Sequence, residues 1–115
     1  PGQVTLGEQF VVEVIVENHD SNPRVLHSID IWNQYLEGVA VLSTQPKATQ
    51  SFAVPIDETF SYEFLITIPP GGKETVTFTA QATKTGDFDS YLDVCIDNGW
   101  NFESVDLRTE VLPAP

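Results

Sequence analysis

Apolar and polar side chains alternate with a period of two through three successive segments between Phe60 and Ile96. The apolar positions are Phe60, Tyr62, Phe64, Ile66 and Ile68, then Val76, Phe78, Ala80 and Ala82, then Phe88, Leu92, Val94 and Ile96. Successive side chains on a β-strand point to opposite faces, so each segment is predicted to be a strand with one buried face. Turn-forming residues at 69–72 and 84–86 separate the segments.

Further strands are predicted on both sides of these three. They cover residues 3–5, 8–18, 24–33, 39–42 and 103–112. No segment shows the period of a helix. Asn98-Gly99 predicts a hairpin, because both residues tolerate a positive φ. Residues 43–58 are expected to be irregular, since Pro46 and Pro55 exclude a central strand; a helical turn near 47–49 is compatible with this.

Seven or eight strands separated by turns predict an all-β fold, namely an antiparallel Ig-like β-sandwich, in a single domain over residues 1–115. The core would be filled from two inner faces about 10 Å apart. Outside the three alternating segments, the inward positions are predicted to be Phe10, Val12, Val14, Val16, Val25, Ile29, Ile31, Val105, Leu107 and Val111. This register directs Trp32 outward, so we expect either a bulge that re-aims the ring or a contact surface.

Acidic residues outnumber basic residues by 17 to 5, which gives a formal net charge of −12. Such a charge repels nucleic-acid phosphates and anionic membrane surfaces, so neither partner is expected. The plainest interpretation is solubility, because acids at solvent-facing positions also oppose edge-to-edge pairing. No apolar run approaches the roughly 20 residues that cross a bilayer, so membrane insertion is not expected. The terminal segments, Pro1-Gly2 and Pro113-Ala114-Pro115, are interpreted as linker cuts in a longer protein.

Cys95 is the single cysteine, so no disulfide can form within the chain. The alternation places it on the face of Asp93 and Asp97, opposite Leu92 and Val94. A lone thiol in a strand is most often a small packing residue. The acidic surroundings are expected to raise its pKa, which disfavours a nucleophilic role.

Several short motifs, spread over most of the chain, resemble Ig-like modules of the CARDB (cell-adhesion-related) type and, more loosely, the DUF11-type surface domains. They are Gly7-Glu8-Gln9-Phe10, Glu17-Asn18, the segment from Ile68 through Pro69-Pro70-Gly71-Gly72 to Phe78, Lys84-Thr85-Gly86-Asp87-Phe88, Val94-Cys95-Ile96-Asp97 and Glu103-Ser104. Two features differ: Val105-Asp106-Leu107-Arg108 follows Glu-Ser where an Asn-rich stretch is frequent, and Cys95 is not part of the pattern. The resemblance implies a prokaryotic, extracellular or cell-surface module without catalytic residues.

A divalent-cation site is the first candidate chemistry. Ca²⁺ requires six to eight converging oxygens, whereas aspartates four residues apart on one strand face are about 13 Å apart. The candidate ligand pairs are therefore Asp87 with Asp89, and Asp97 with Glu103 across a turn, and the alternative is a solvated acidic face. His19 and His27 lack a third nitrogen or sulfur ligand for zinc. No cofactor is expected.

An aromatic contact surface is the second candidate, formed by Trp32, Tyr35 and Trp100, for a protein or carbohydrate partner. The alternative for these rings is local packing. No phosphate-binding loop, nucleophile elbow or catalytic triad is recognisable, so the chain is not expected to be an enzyme.

The leading hypothesis is a non-catalytic module that acts as a spacer or adhesion unit beside the flanking domains of a larger surface protein. One alternative is an accessory module, for carbohydrate or Ca²⁺, of a larger secreted enzyme. Another is a protease inhibitor that works through an exposed loop at 43–58. The fold alone does not choose among them.

Overall fold

The computed structural model describes residues 2–115 and consists almost entirely of strands, which confirms the all-β prediction. The elements in chain order are β1 (Gln3–Thr5), β2 (Gln9–Glu17), β3 (Arg24–Trp32), α1 (Asn33–Leu36), β4 (Val39–Gln45), β5 (Gln50–Val54), β6 (Thr59–Ile68), β7 (Lys73–Ala82), β8 (Gly86–Ile96) and β9 (Phe102–Leu112). No helix within the described residues is both long enough and apolar enough to cross a bilayer.

The strands form two sheets that pack as an Ig-like sandwich, as predicted. One sheet has six strands in the order β1-β9-β8-β3-β6-β5, and the other has three in the order β2-β7-β4. All strand pairs are antiparallel except β1 with β9, which are parallel and match Gln3 with Glu110 and Thr5 with Leu112. The parallel pair closes one edge of the larger sheet over three residues only.

The segment 43–58 is more regular than predicted, and this raises the number of strands to nine among the described residues. β4 continues to Gln45, and β5 forms a new strand at the edge of the larger sheet. Pro46 and Pro55 follow directly after these two strands, so each proline ends a strand rather than interrupting one. The expectation that no central strand lies here is confirmed.

The core fills from both inner faces, and most of the predicted inward positions are buried. Residues that are at most 3% exposed include Ile29, Ile31, Phe64, Ile68, Val76, Phe78, Leu92 and Val111. Aromatic edge contacts join the two sheets, with ring centroids 5.4 Å apart for Tyr62 and Phe78 and 6.4 Å for Phe64 and Phe78.

The prediction for Val25 is wrong, because a β-bulge changes the register of β3. The pairing shifts between Leu26 and Ser28, so His27 is an extra residue relative to β8. Leu26 is fully buried in the core instead, while Val25 is only half-buried. On the other side of β3, Leu65 of β6 has φ +56°, and its side chain is exposed. The bulge leaves Ile29 and Ile31 inward and Trp32 outward, as predicted.

Val105 is also not buried, since 45% of it is exposed. It lies on the inner side of β9, where it pairs with buried Leu92 and lines an open cavity together with residues of β2. The sandwich is therefore open along one side, between β2 and β9.

Candidate functional site

A groove crosses the outer face of the six-stranded sheet, the face turned away from the smaller sheet. Its walls carry Phe52 of β5 on one side and Trp100 and Phe102 of the β8–β9 hairpin on the other. Its floor includes Ser28, Asp30 and Ser61, and its volume is about 460 Å³. We call this feature the outer-face groove.

The wall aromatics are exposed: 91% of Trp100, 56% of Phe102 and 41% of Phe52 face solvent. The hairpin loop holds Trp100 in this position, because Asn98 Oδ1 accepts hydrogen bonds from the backbone N–H groups of Trp100 (2.8 Å) and Asn101 (3.0 Å). The predicted hairpin is confirmed. The residue with a positive φ, however, is Asp97 (φ 68°) rather than Asn98 or Gly99.

Asp30 of the floor lies next to a second carboxylate, Asp93, which lines an adjoining cavity. Asp30 of β3 pairs directly with Asp93 of β8, and on its other side with Ser61 of β6. Like charges at opposed positions destabilise a sheet, so this arrangement carries an energetic cost. Asp93 Oδ1 accepts a 2.6 Å hydrogen bond from Ser104, which offsets part of the cost.

A smaller cavity of about 180 Å³, which we call the acidic pocket, adjoins the groove beside Asp30, Asp57, Asp93 and Trp32. Asp30 Oδ1 is buried there and has no hydrogen-bond partner among the described residues. The indole N–H of Trp32 is also buried, and it too has no hydrogen-bond partner among the described residues. A buried carboxylate oxygen without a donor is unfavourable, so the pocket matches a ligand that brings one.

Cys95 lies on the outer face, as predicted, but only 1% of it is exposed. Its Sγ lies 3.6 Å from Asp30 Oδ2, to which the thiol donates. Burial raises the pKa of the Cys95 thiol to about 11; a hydrogen bond with Ser28 opposes this and the negative charge of Asp30 adds to it. The protonated thiol is therefore a packing group and a hydrogen-bond donor, in line with the sequence interpretation.

The three predicted contact aromatics do not form one surface. Trp32 is half-buried at the acidic pocket and packs against Tyr91, with ring centroids 5.0 Å apart, while Trp100 projects from the groove wall. The prediction for Tyr35 is wrong, because α1 turns its ring into the core, where only 1% is exposed. Phe52 and Phe102 are the aromatics that the sequence interpretation missed.

The candidate cation ligands are separated and partly engaged. Asp87 forms a two-pronged ion pair with Arg108, at 2.9 and 2.7 Å, and this hydrogen bonding lowers the pKa of Asp87. Asp97 accepts from the backbone N–H of Val25 (3.0 Å) and from Arg24 (2.7 Å), and these two contacts lower its pKa in that order. Asp89 lies across from Arg108, and Glu103 lies across from Val94. Within residues 2–115, no three histidine, cysteine, aspartate or glutamate side chains are grouped closely enough to hold a metal ion.

Similar solved structures agree with this architecture. The chain superposes over its whole length on the ASH/PapD-like domain 7 of human CEP192, with a TM-score of 0.52 and 12% identity, and covers 80% of that chain. Over 98% of its length it superposes on a family 123 glycoside hydrolase from Clostridium perfringens, with a TM-score of 0.54 and 12% identity, but it spans only 23% of that chain. No family model and no curated protein matches the sequence.

These likenesses show the fold of the protein, an Ig-like β-sandwich similar to that of a PapD-like domain. At 12% identity they describe the fold and not the chemistry.

Proposed function

We propose that this chain is a non-catalytic, extracellular Ig-like module of the CARDB type, which works as a spacer or adhesion unit and binds a protein partner through the outer-face groove. The observation that carries the proposal is the combination of solvent-exposed aromatic walls with a carboxylate floor in one concave site. Aromatic rings at the surface of a cleft provide a large contact area at a small cost in conformational entropy.

The charge of the site favours a cationic side chain of the partner. Asp30 and Asp93 are direct neighbours, Asp57 faces the same pocket, and Asp30 Oδ1 lacks a donor. A guanidinium group would donate to these oxygens and stack on the neighbouring rings, which an ammonium group does less well. The net charge of −12 would steer such a partner toward the module.

A carbohydrate is the second candidate, because the exposed ring of Trp100 could stack on the apolar face of a sugar while the aspartates accept from its hydroxyl groups. In this case the chain would be an accessory module of a larger secreted enzyme. In one glycoside hydrolase, a segment of similar fold forms 23% of a larger chain.

The test is to screen the module against an array of arginine-containing and lysine-containing peptides and against a glycan array, and then to titrate the hits by calorimetry. We expect arginine peptides to bind, and both Trp100→Ala and Asp30→Asn to weaken this binding about tenfold or more. Leu42→Ala serves as the matched control, since Leu42 is 48% exposed on the other sheet.

The outcomes separate the candidates. Binding of glycans alone, with the same sensitivity to Trp100→Ala, selects the accessory carbohydrate module. Binding of neither class refutes the groove as a contact site and leaves the spacer role. A heat of Ca²⁺ binding, together with a higher thermal midpoint than in chelator, would select the cation-binding alternative.

A further inference from the structure

The open side of the sandwich leaves two strand edges without partners. Within residues 2–115, β2 pairs with β7 on one side and with no strand on the other, and β9 pairs with β1 only at Glu110, Val111 and Leu112. The remainder of β9 and the whole of β2 therefore present unpaired backbone groups on the same side of the molecule. We call the opening between them the seam.

The seam is lined by apolar side chains from both sheets. They include Val12, Val14 and Val16 of β2 and Leu92, Val94 and Val105 of the larger sheet. The volume of the seam is about 350 Å³, and Val105 is 45% exposed within it. On the outer side of β2, Val11 and Ile15 are 49% and 51% exposed. An uncovered edge with apolar side chains on both faces is a surface on which a further strand can pair.

The rim of the seam is acidic. Glu13, Glu17, Glu103 and Asp106 line the opening, and within residues 2–115 no ion pair involves Glu13, Glu103 or Asp106. This charge selects among possible occupants. A second copy of the chain, with a net charge of −12 and the same acidic edge, would be repelled, whereas a basic segment would be attracted.

We propose that an extended, basic segment of a partner protein pairs with β2 as an additional strand. Its backbone would hydrogen-bond to the free edge of β2, and alternate side chains would enter the seam. The side chains between them, lysine or arginine, would lie beside the acidic rim. The main-chain bonds give such a complex its affinity, and the alternation of side chains gives it specificity.

This site is separate from the outer-face groove, because the seam and the groove share no lining residue. Failure of one proposal therefore does not decide the other.

The probe is a nine-residue peptide of alternating valine and lysine, with blocked ends, which matches the length of β2. It is titrated into the module and followed by calorimetry and by backbone amide shifts. We expect saturable one-to-one binding, amide shifts concentrated in β2 and β9, and weaker binding as the salt concentration rises. A peptide of the same sequence with every second amide N-methylated tests the backbone pairing, and we expect it not to bind.

Charge reversal on the rim provides the second arm. We expect Glu13→Lys and Asp106→Lys each to weaken binding about threefold to tenfold, because both acids are exposed and flank the seam. Glu37→Lys is the matched control, since Glu37 is exposed next to α1 and does not line the seam. Trp100→Ala should also leave the affinity unchanged, and this separates the seam from the groove.

Three results would overturn the proposal: no saturable binding, equal binding of the N-methylated peptide, or amide shifts confined to the groove. Dimerisation of the module, with amide shifts concentrated in β2, would assign the edge to a second copy instead. The shift map uses the unmodified chain, so it decides the matter even if a variant folds poorly.

Discussion

The hydroxyl groups of Tyr35 and Thr109 share a hydrogen bond of 2.9 Å that joins α1 to β9 within the core. Both residues are 1% exposed, so water cannot replace either partner. We expect Tyr35→Phe to lower the free energy of unfolding by about 1–2 kcal/mol, because it removes this bond while the ring stays packed. Urea denaturation followed by circular dichroism measures the change.

A double-mutant cycle with Thr109→Val separates the hydrogen bond from packing. If the bond is the main loss, the double variant is destabilised by less than the sum of the two single variants. Strictly additive effects would show that the two hydroxyl groups do not stabilise each other.

Phe64 and Leu65 are adjacent in β6 but lie on opposite faces, since 3% of Phe64 and 54% of Leu65 is exposed. We expect Phe64→Asp to leave the chain unfolded, because an unpaired carboxylate would replace a core ring. Leu65→Asp should keep a cooperative thermal transition, as aspartate also tolerates the positive φ at this position. A cooperative transition for Phe64→Asp near the wild-type midpoint would contradict the register of the sheet.

The buried thiol of Cys95 should resist modification. Its pKa is raised to about 11, chiefly by burial, so at pH 8 almost none of it is the reactive thiolate. We expect iodoacetamide to alkylate the native chain at least about a hundredfold more slowly than the chain unfolded in urea. Mass spectrometry at timed intervals measures both rates, and comparable rates would show that Cys95 is accessible.

The fold should become less stable at acidic pH, because protonation weakens the hydrogen bonds that aspartates accept from arginine or from the backbone. The pKa of Asp97 is lowered first by the N–H of Val25 and then by Arg24, and the pKa values of Asp20 and Asp87 are lowered mainly by their arginine partners. A carboxylate whose pKa is lower in the folded chain than in the unfolded chain stabilises the fold at pH values above the ordinary aspartate pKa of 3.8. That stabilisation is lost as the pH falls through the lowered pKa.

We therefore expect the thermal midpoint to drop as the pH falls below about 4. Asp97→Asn should have a lower midpoint than wild type at pH 7, and the difference should shrink toward pH 2. Asparagine can still accept from Val25, so the comparison isolates the charge. A difference that stays constant from pH 7 to pH 2 would rule out this assignment.

The strands of this fold could be predicted because their buried faces repeat strictly, as in β6 and β7. The bulge at His27 could not be predicted, because the apolar–polar alternation of the neighbouring strands does not show it. The extra residue places Leu26, rather than Val25, in the core. β5 was missed for a different reason. Its burial is slight, so the sequence of residues 50–54 carries little periodic signal.

The candidate site was predicted only in part. Trp100 can be recognised from its position in a tight loop, but the aromatic ring on the opposite wall of the groove, Phe52, comes from β5, which the sequence pattern does not predict. The convergence of Asp30 and Asp93 depends on which strands are neighbours across the sheet, and alternation within one strand does not reveal this. Tyr35 was misplaced because four residues of helix are too short to show a period.

The parallel pairing of β1 with β9 has a consequence for the order in which the molecule is made. Gln3 pairs with Glu110, so β1 has no partner until β9, the last strand of the module, has been synthesised. The side chain of Val4, which is 3% exposed in the folded chain, cannot be fully buried before β9 is in place. The edge of the larger sheet can therefore close only after β9 has been synthesised, and a chain that stops before β9 would leave β1 unpaired.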